Sequence, residues 1–126
     1  MYDIELYELP NGKKPVAEFI KSLNVKMRVK AIDSISLLEE YGPKLREPYS
    51  KSVGDGLFEL RIRFASDITR IFYFFFVDNK IVLTNGFVKK TEKAAGKIIS
   101  TARTAIRVSM IATFTALPTS LSSLRK

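Results

Sequence analysis

The length, composition and charge of the chain restrict it to one small, basic domain with few catalytic options. It has 126 residues, of which 46% are hydrophobic, which is enough for a single domain with its own core. It contains no cysteine and no histidine, which excludes disulfides, thiolate metal sites and histidine acid–base catalysis. Its formal net charge is +8.

The positive charge is concentrated in the last third of the chain. Residues 1–85 carry 13 basic and 12 acidic side chains, whereas residues 86–126 carry eight basic side chains and one acidic side chain, Glu92. Because contacts with phosphates depend on clustered charge, this distribution predicts a surface that binds a polyanion, above all RNA. The alternative is a basic tail that is simply solvated.

The first residues and the hydropathy of the chain predict a cytoplasmic location. The stretch from Met1 to Glu5 has no basic-then-apolar signal pattern. No apolar run approaches the roughly 20 residues of a membrane-spanning helix. We therefore expect no membrane association.

The N-terminal part of the chain is predicted to contain one strand and a helical hairpin. Residues 2–8 alternate as a strand does, and Pro15 suits the first turn of a helix that follows. A second helix is expected over 25–41, where Ala31, Ile32, Ile35, Leu38 and Tyr41 recur at helical spacing. Gly42-Pro43 ends it.

The rest of the predicted domain is a meander of strands followed by a helix. Residues 43–56 are expected to form a loop, and alternation begins at Leu57. Residues 57–64, 68–77 and 80–87 are predicted as three consecutive strands, with Asp78-Asn79 as a tight turn. A helix is expected to start near Thr91 and to pass Ala102. The predicted class is α+β, with a small, mostly antiparallel sheet.

The last residues differ in character from the domain, which is expected to span residues 1–107. Residues 108–126 have no acidic side chain and form an atypical tail. Met110, Ile111, Phe114 and Leu117 fall on one helical face that would end before Pro118. A helix this short is stable only when packed, so it is predicted to dock; a disordered tail is the alternative.

Three arginines are the main candidates for chemistry. Arg61 and Arg63 lie two residues apart and therefore project from one face of a strand. If Ser66-Asp67 forms the turn, Arg63 faces Arg70 across the hairpin. Opposed like charges destabilise a sheet, which suggests a bound anion or a carboxylate such as Glu59 nearby. Ordinary ion pairs with Glu59 or Asp67 are the alternative.

A lysine cluster follows the third strand of the meander. Lys89, Lys90 and Lys93 stand where the sheet is predicted to lead into a helix. In antiparallel order, the end of that strand returns toward Arg70. Simple solvation of the lysines is the alternative. The aromatic run Phe72–Phe76 is predicted to belong to the core and not to stack on bases.

The residues of this region resemble a known toxin family. The segments 56–61 (GLFELR), 70–74 (RIFYF) and 86–93 (GFVKKTEK) are similar to those of RelE/HigB-type toxins of bacterial toxin–antitoxin pairs, especially the phage-derived HigB-like branch. The resemblance covers about residues 2–105. It implies a RelE-like fold, a ribosome-dependent mRNA endonuclease, and a helix-turn-helix (HigA-like) antitoxin as partner.

The predicted mechanism is metal-independent RNA cleavage by attack of the ribose 2′-OH on the adjacent phosphate, without a cofactor. Arginines can stabilise the negative charge of the transition state, because a guanidinium group binds two phosphate oxygens at once. The candidate catalytic residues are Arg61, Arg70 and Lys90, and the candidate RNA-binding residues are Arg63, Lys89 and Lys93. The general base stays open among Glu59, a lysine and Tyr73. Two alternatives are a non-catalytic module that binds RNA or ribosomes, and a protein that binds only a partner chain.

Overall fold

The computed structural model describes residues 1–64, 67–88, 99–100, 102–104 and 106. One strand is followed by two helices and then by four consecutive strands. The helices are α1 (Pro15–Ser22) and α2 (Val25–Tyr41), and the strands are β1 (Asp3–Leu6), β2 (Ser50–Gly54), β3 (Leu57–Phe64), β4 (Asp67–Phe76) and β5 (Lys80–Val88). One 3-10 turn, Gly42–Lys44, follows α2.

The strands form one five-stranded sheet in the order β1-β5-β4-β3-β2. Strands β2 to β5 pair antiparallel in chain order, while β1 pairs with β5 in parallel. The mixed α+β class predicted from the sequence is therefore confirmed, with one parallel pair at the edge.

The predicted meander corresponds to β3, β4 and β5. Asp78 and Asn79 have φ values of 59° and 63°, as expected of a tight primed turn between β4 and β5. The predicted core role of the aromatic run is confirmed for Phe72, Tyr73 and Phe74, which are all buried.

The prediction that residues 43–56 form a loop is wrong for Ser50–Gly54, which is β2. This strand reads Ser-Lys-Ser-Val-Gly and lies at an edge of the sheet, paired only with β3. An edge strand made mostly of small and polar residues has no hydrophobic alternation, and so its pattern is that of a loop.

Both N-terminal helices lie on the same face of the sheet, α1 over β5 and α2 over β3. The Asn24 side chain caps α2 by accepting a hydrogen bond of 2.8 Å from the backbone N–H of Met27. Arg28 donates to the carbonyl oxygens of Ile20, Lys21 and Leu23 and so satisfies the end of α1. The core between helices and sheet comprises Val16, Leu23, Met27, Ala31, Leu38, Leu60, Ile62, Ile71, Tyr73, Ile81 and Leu83.

The buried stripe of α2 is narrower than the sequence predicts. Met27, Ala31 and Leu38 are buried, but Ile32 and Tyr41 are exposed. Ile32 lies about 100° around the helix from Ala31, so it cannot face the sheet when Ala31 does.

The opposite face of the sheet carries a second, smaller apolar cluster. Residues 99–100, 102–104 and 106 are helical, and Ala102 packs on Leu57, Phe72 and Phe87. Arg103 fixes this segment by donating to the carbonyl oxygens of Val53 (3.0 Å) and Gly54 (3.2 Å). The expected helix start at Thr91 and the tail 108–126 lie outside the described residues.

Gly86 allows α1 to approach the sheet closely. A Cβ at this position would lie 2.6 Å from Cδ2 of Phe19 and 3.1 Å from the backbone oxygen of Arg70. We expect Gly86→Ala to lower the free energy of unfolding by about 1–3 kcal/mol, because the clash overpacks the core. Urea denaturation measures this. The double variant Phe19→Leu with Gly86→Ala should lose less than the sum of the two single changes. Strict additivity would contradict the clash.

The part of the chain that the structure describes contains no helix that is both long enough and apolar enough to cross a membrane.

Candidate nucleic-acid interface

Arg61 and Arg70 face each other directly across β3 and β4. The register pairs Arg61 with Arg70 and Arg63 with Ile68, so the prediction that Arg63 faces Arg70 is wrong. Phe64 pairs with Asp67, which leaves two residues, 65 and 66, between the strands instead of Ser66-Asp67. The turn is displaced by one residue, which changes the partner of Arg70 but keeps all three arginines on one face.

The two opposed arginines form a close type of cross-strand pair. The backbone N–H of Arg61 donates to the carbonyl oxygen of Tyr49 at 2.8 Å and therefore points away from β4. Arg61 and Arg70 are consequently a non-hydrogen-bonded pair, in which side chains approach most closely. Two like charges in such a pair repel each other unless an anion lies between them.

Glu59 supplies that anion within the fold. Its carboxylate lies 3.4 Å from Nε of Arg61 and 3.3 Å from Nη1 of Arg70. The Glu59 side chain is 5% exposed, against 20% for Arg61 and 13% for Arg70. The expected ion pairs with Glu59 are therefore present, and both arginines share this one carboxylate.

The cluster retains capacity for a second anion. It contains two guanidinium groups and one carboxylate, a formal charge of +1. Within the described residues, Nε of Arg61 and Nε of Arg70 are buried and make no hydrogen bond. Buried donors that make no hydrogen bond are costly, even though Nε of Arg61 lies within ion-pair distance of Glu59, and a phosphate oxygen would be a suitable acceptor.

Arg63 lies further along the same face, at the exposed end of β3. Among the described residues it makes no ion pair, and it lines a cleft together with Arg61.

The lysines Lys89, Lys90 and Lys93 lie outside the described residues. Val88, the residue before Lys89, pairs with Thr69, and Phe87 pairs with Arg70. The described end of β5 is thus adjacent to the position of Arg70 in β4.

Tyr73 is wrong as a candidate general base. Its side chain is 1% exposed and packs in the core beneath the helices, on the face opposite the arginines. Its hydroxyl forms a hydrogen bond with the Ser50 hydroxyl. Burial raises the pKa of Tyr73 above its ordinary value of 10.0, while the bond to Ser50 acts in the opposite sense. The phenol therefore stays neutral and links β2 to β4.

The buried hydroxyl of Tyr73 predicts a stability difference that depends on pH. We expect Tyr73→Phe to cost about 1–2 kcal/mol at pH 7, because the Ser50 hydroxyl loses its partner. Since folding raises the pKa of Tyr73, the wild type's advantage is fully present below pH 10.0 and is lost as pH rises through the folded value. Denaturant titrations at pH 7 to 11 measure it. A difference in unfolding free energy between the two proteins that stays constant from pH 7 to 11 would contradict the raised pKa.

A cleft of about 250 Å³ opens beside the arginine pair. It lies beside the first residue of β2. Ser50 pairs with Leu60, so β2 does not cover residues 61–64 of β3. Lys30, Asp33 and Ser34 from α2 line it on one side, and Pro48 and Tyr49 on another. No sequence pattern indicated Tyr49, Lys30 or Asp33, because the cleft is formed by segments that are distant along the chain.

The described residues contain no group of three or more acidic, cysteine or histidine side chains that could hold a metal ion.

A comparison with protein families shows which family the chain belongs to. Residues 18–107 match the family described as phage derived protein Gp49-like (DUF891). The chain belongs to this family. The Gp49-like family is of the RelE/Gp49 toxin type and is associated with toxin–antitoxin systems. The match includes α2, the arginine cluster and the cleft. No curated protein matches the chain.

Proposed function

We propose that this Gp49-like protein is the toxin of a toxin–antitoxin pair and that it cleaves mRNA on the ribosome in the cytoplasm. The observation that carries the proposal is the pair Arg61–Arg70, opposed across the sheet and sharing the single carboxylate of Glu59. Two guanidinium groups with one carboxylate carry a net positive charge, so the pair can bind one further anion. An RNA phosphate has the charge and the oxygen geometry that two guanidinium groups bind best.

The proposed reaction is an internal transesterification. The ribose 2′-oxygen attacks the adjacent phosphorus, forming a new O–P bond while the bond to the 5′-oxygen breaks. The proton of the 2′-OH leaves to a base, and the 5′-oxygen gains a proton. The products are a 2′,3′-cyclic phosphate and a 5′-hydroxyl, and no metal or cofactor is required.

In this mechanism Arg61 and Arg70 stabilise the charge that accumulates on the phosphorane. Fixed donors contribute most where the transition state carries more charge than the ground state. Arg63 binds a flanking phosphate, as do Lys89 and Lys93, and Lys90 protonates the leaving 5′-oxygen. Glu59 acts as a positioning residue, since it holds both guanidinium groups in place.

The protein has no histidine, and Tyr73 is buried on the wrong face. The general base is therefore neither a histidine nor Tyr73. We propose that the ribosome orients the 2′-OH, which explains a requirement for translated mRNA. The proposed partner is a helix-turn-helix antitoxin, as for the HigB-like branch.

A second candidate is a non-catalytic module that binds RNA or ribosomes. The observation in its favour is that Glu59 already pairs with both arginines, which is also how a purely structural ion cluster is built. This module would bind ribosomes and leave mRNA intact.

Induced expression separates the two candidates. The toxin is expected to arrest growth within one generation and to produce new mRNA ends inside translated regions. Mapping of 5′-hydroxyl ends before and after induction measures this. Growth arrest without new ends would favour the binding module, and normal growth at high expression would contradict both.

A further inference from the structure

We propose that the cleft beside the arginine pair is a nucleoside-binding subsite in which one base stacks on Tyr49. This inference rests on the proposed RNA-directed function and identifies a base contact for it. The evidence comes from the position, size, lining and charge of the cleft.

The Tyr49 ring is available, and its backbone is fixed. The side chain is 51% exposed, so a ligand can reach the ring. Its N–H donates to the carbonyl oxygen of Arg46 at 2.9 Å, and its carbonyl oxygen accepts from Arg61 at 2.8 Å. An aromatic ring on a held backbone loses little entropy on binding, as a stacking platform for a base requires.

The size of the cleft suits a single base. Its volume of about 250 Å³ is below the roughly 300–1,000 Å³ typical of pockets for drug-sized ligands. Ile62, which is buried, supplies an apolar surface within it. Tyr49 and Ile62 thus contribute an aromatic and an aliphatic side chain to the lining of the cleft.

The polar lining suits the rest of a nucleotide. The cleft is lined by three basic residues, Lys30, Arg61 and Arg63, and by one acidic residue, Asp33. Nζ of Lys30 lies 5.7 Å from the centre of the Phe64 ring, which keeps the ammonium group near the end of β3. The basic side chains could bind a phosphate through ion pairs, and Asp33 and Ser34 could form hydrogen bonds with the edge of a base.

The open edge of β3 adds backbone groups to the same place. Because the N–H of Arg61 points toward Tyr49, the N–H and carbonyl of Arg63, two residues on, point to the same side. Strand β2 does not extend far enough to pair with them. Unpaired donors and acceptors beside a cleft are suited to reading a base edge.

The chain contains no tryptophan, so a single introduced tryptophan can serve as a fluorescent probe of the proposed subsite. Tyr49→Trp introduces a single indole into the proposed subsite, and Tyr41→Trp, at a tyrosine of similar exposure on the end of α2, is the matched control. A five-nucleotide RNA and a free mononucleotide are the two ligands, and ribose 5-phosphate is the probe without a base.

We expect saturable quenching of the indole at position 49 by the RNA and, at higher concentration, by the mononucleotide. Ribose 5-phosphate should not quench it, and the position-41 control should respond to none of the three. Quenching by the mononucleotide as tight as by the RNA would identify a free nucleotide as the ligand. Equal responses at positions 41 and 49 would overturn the subsite.

Substitutions give a second readout. Tyr49→Ala is expected to weaken binding of the RNA by about 5- to 30-fold, the loss of one base–aromatic stack, while Tyr49→Phe binds nearly as the wild type does. Unchanged binding by a folded Tyr49→Ala protein would overturn the proposal.

Cleavage by the wild type is measured separately in a translation reaction. Cleavage without any Tyr49 effect would refute the subsite alone. A Tyr49 effect without cleavage would refute the enzyme and keep the subsite.

Discussion

Arg70→Ala is expected to reduce mRNA cleavage by about 100- to 1,000-fold, the usual effect of removing one donor to the charge of a transition state. Arg70 is the partner of Arg61 across the sheet, so its loss leaves the phosphate with half of its guanidinium contacts. The rate of appearance of cut mRNA in a translation reaction measures the effect.

The matched control is Lys13→Ala, which removes one positive charge from an exposed position between β1 and α1. We expect its cleavage rate to remain within about twofold of the wild type, because an exposed charge outside the site contributes only long-range attraction. Arg63→Ala should fall between the two and should weaken binding more than it slows the chemical step. Equal losses for Arg70→Ala and Lys13→Ala would show that cleavage depends only on the total charge of the protein.

Glu59→Gln is expected to lower the free energy of unfolding by about 2–3 kcal/mol. Breaking a buried ion pair typically costs 3–5 kcal/mol, and the value is reduced here because both arginines retain some contact with solvent. The substitution keeps the shape of the side chain but leaves Arg61 and Arg70 opposed without an intervening negative charge. Urea denaturation in a chloride buffer measures the loss.

Asp55→Asn is the control for the Glu59 substitution, because Asp55 also pairs with an arginine, Arg103, but its side chain is 89% exposed. A surface ion pair contributes little, so we expect a change of less than about 0.5 kcal/mol. Added phosphate should stabilise Glu59→Gln more than the wild type, since an external anion would replace the missing carboxylate. Equal stability of Glu59→Gln and wild type would contradict the view that Glu59 neutralises the pair.

The meander and the face of its arginines could be predicted from the sequence because β3 alternates between apolar and polar residues from Phe58 to Phe64. That alternation fixes which side chains share a face, whatever the turn. The partner across the strands depends on the turn, however. A displacement of one residue in the turn exchanges Arg63 for Arg61 opposite Arg70 without disturbing the apolar pattern.

The edge of the sheet and the cleft could not be predicted. Strand β2 has no hydrophobic period, and it is held by pairing with β3 and by the hydroxyl contact between Ser50 and Tyr73. The cleft requires α2, the residues before β2, and β3 to meet, which no local pattern encodes. The buried position of Tyr73 likewise follows from strand parity only once the helices are known to cover that face.

Ribosome-dependent cleavage by the purified protein tests the central claim most directly. The wild type and Arg70→Ala are added to a reconstituted translation reaction, and 5′-hydroxyl ends on the mRNA are mapped by primer extension. A parallel sample contains the same mRNA without ribosomes. We predict new ends within the translated region only for the wild type and only with ribosomes. Intact mRNA in a sample where the wild type co-sediments with ribosomes would contradict the account and leave a binding module.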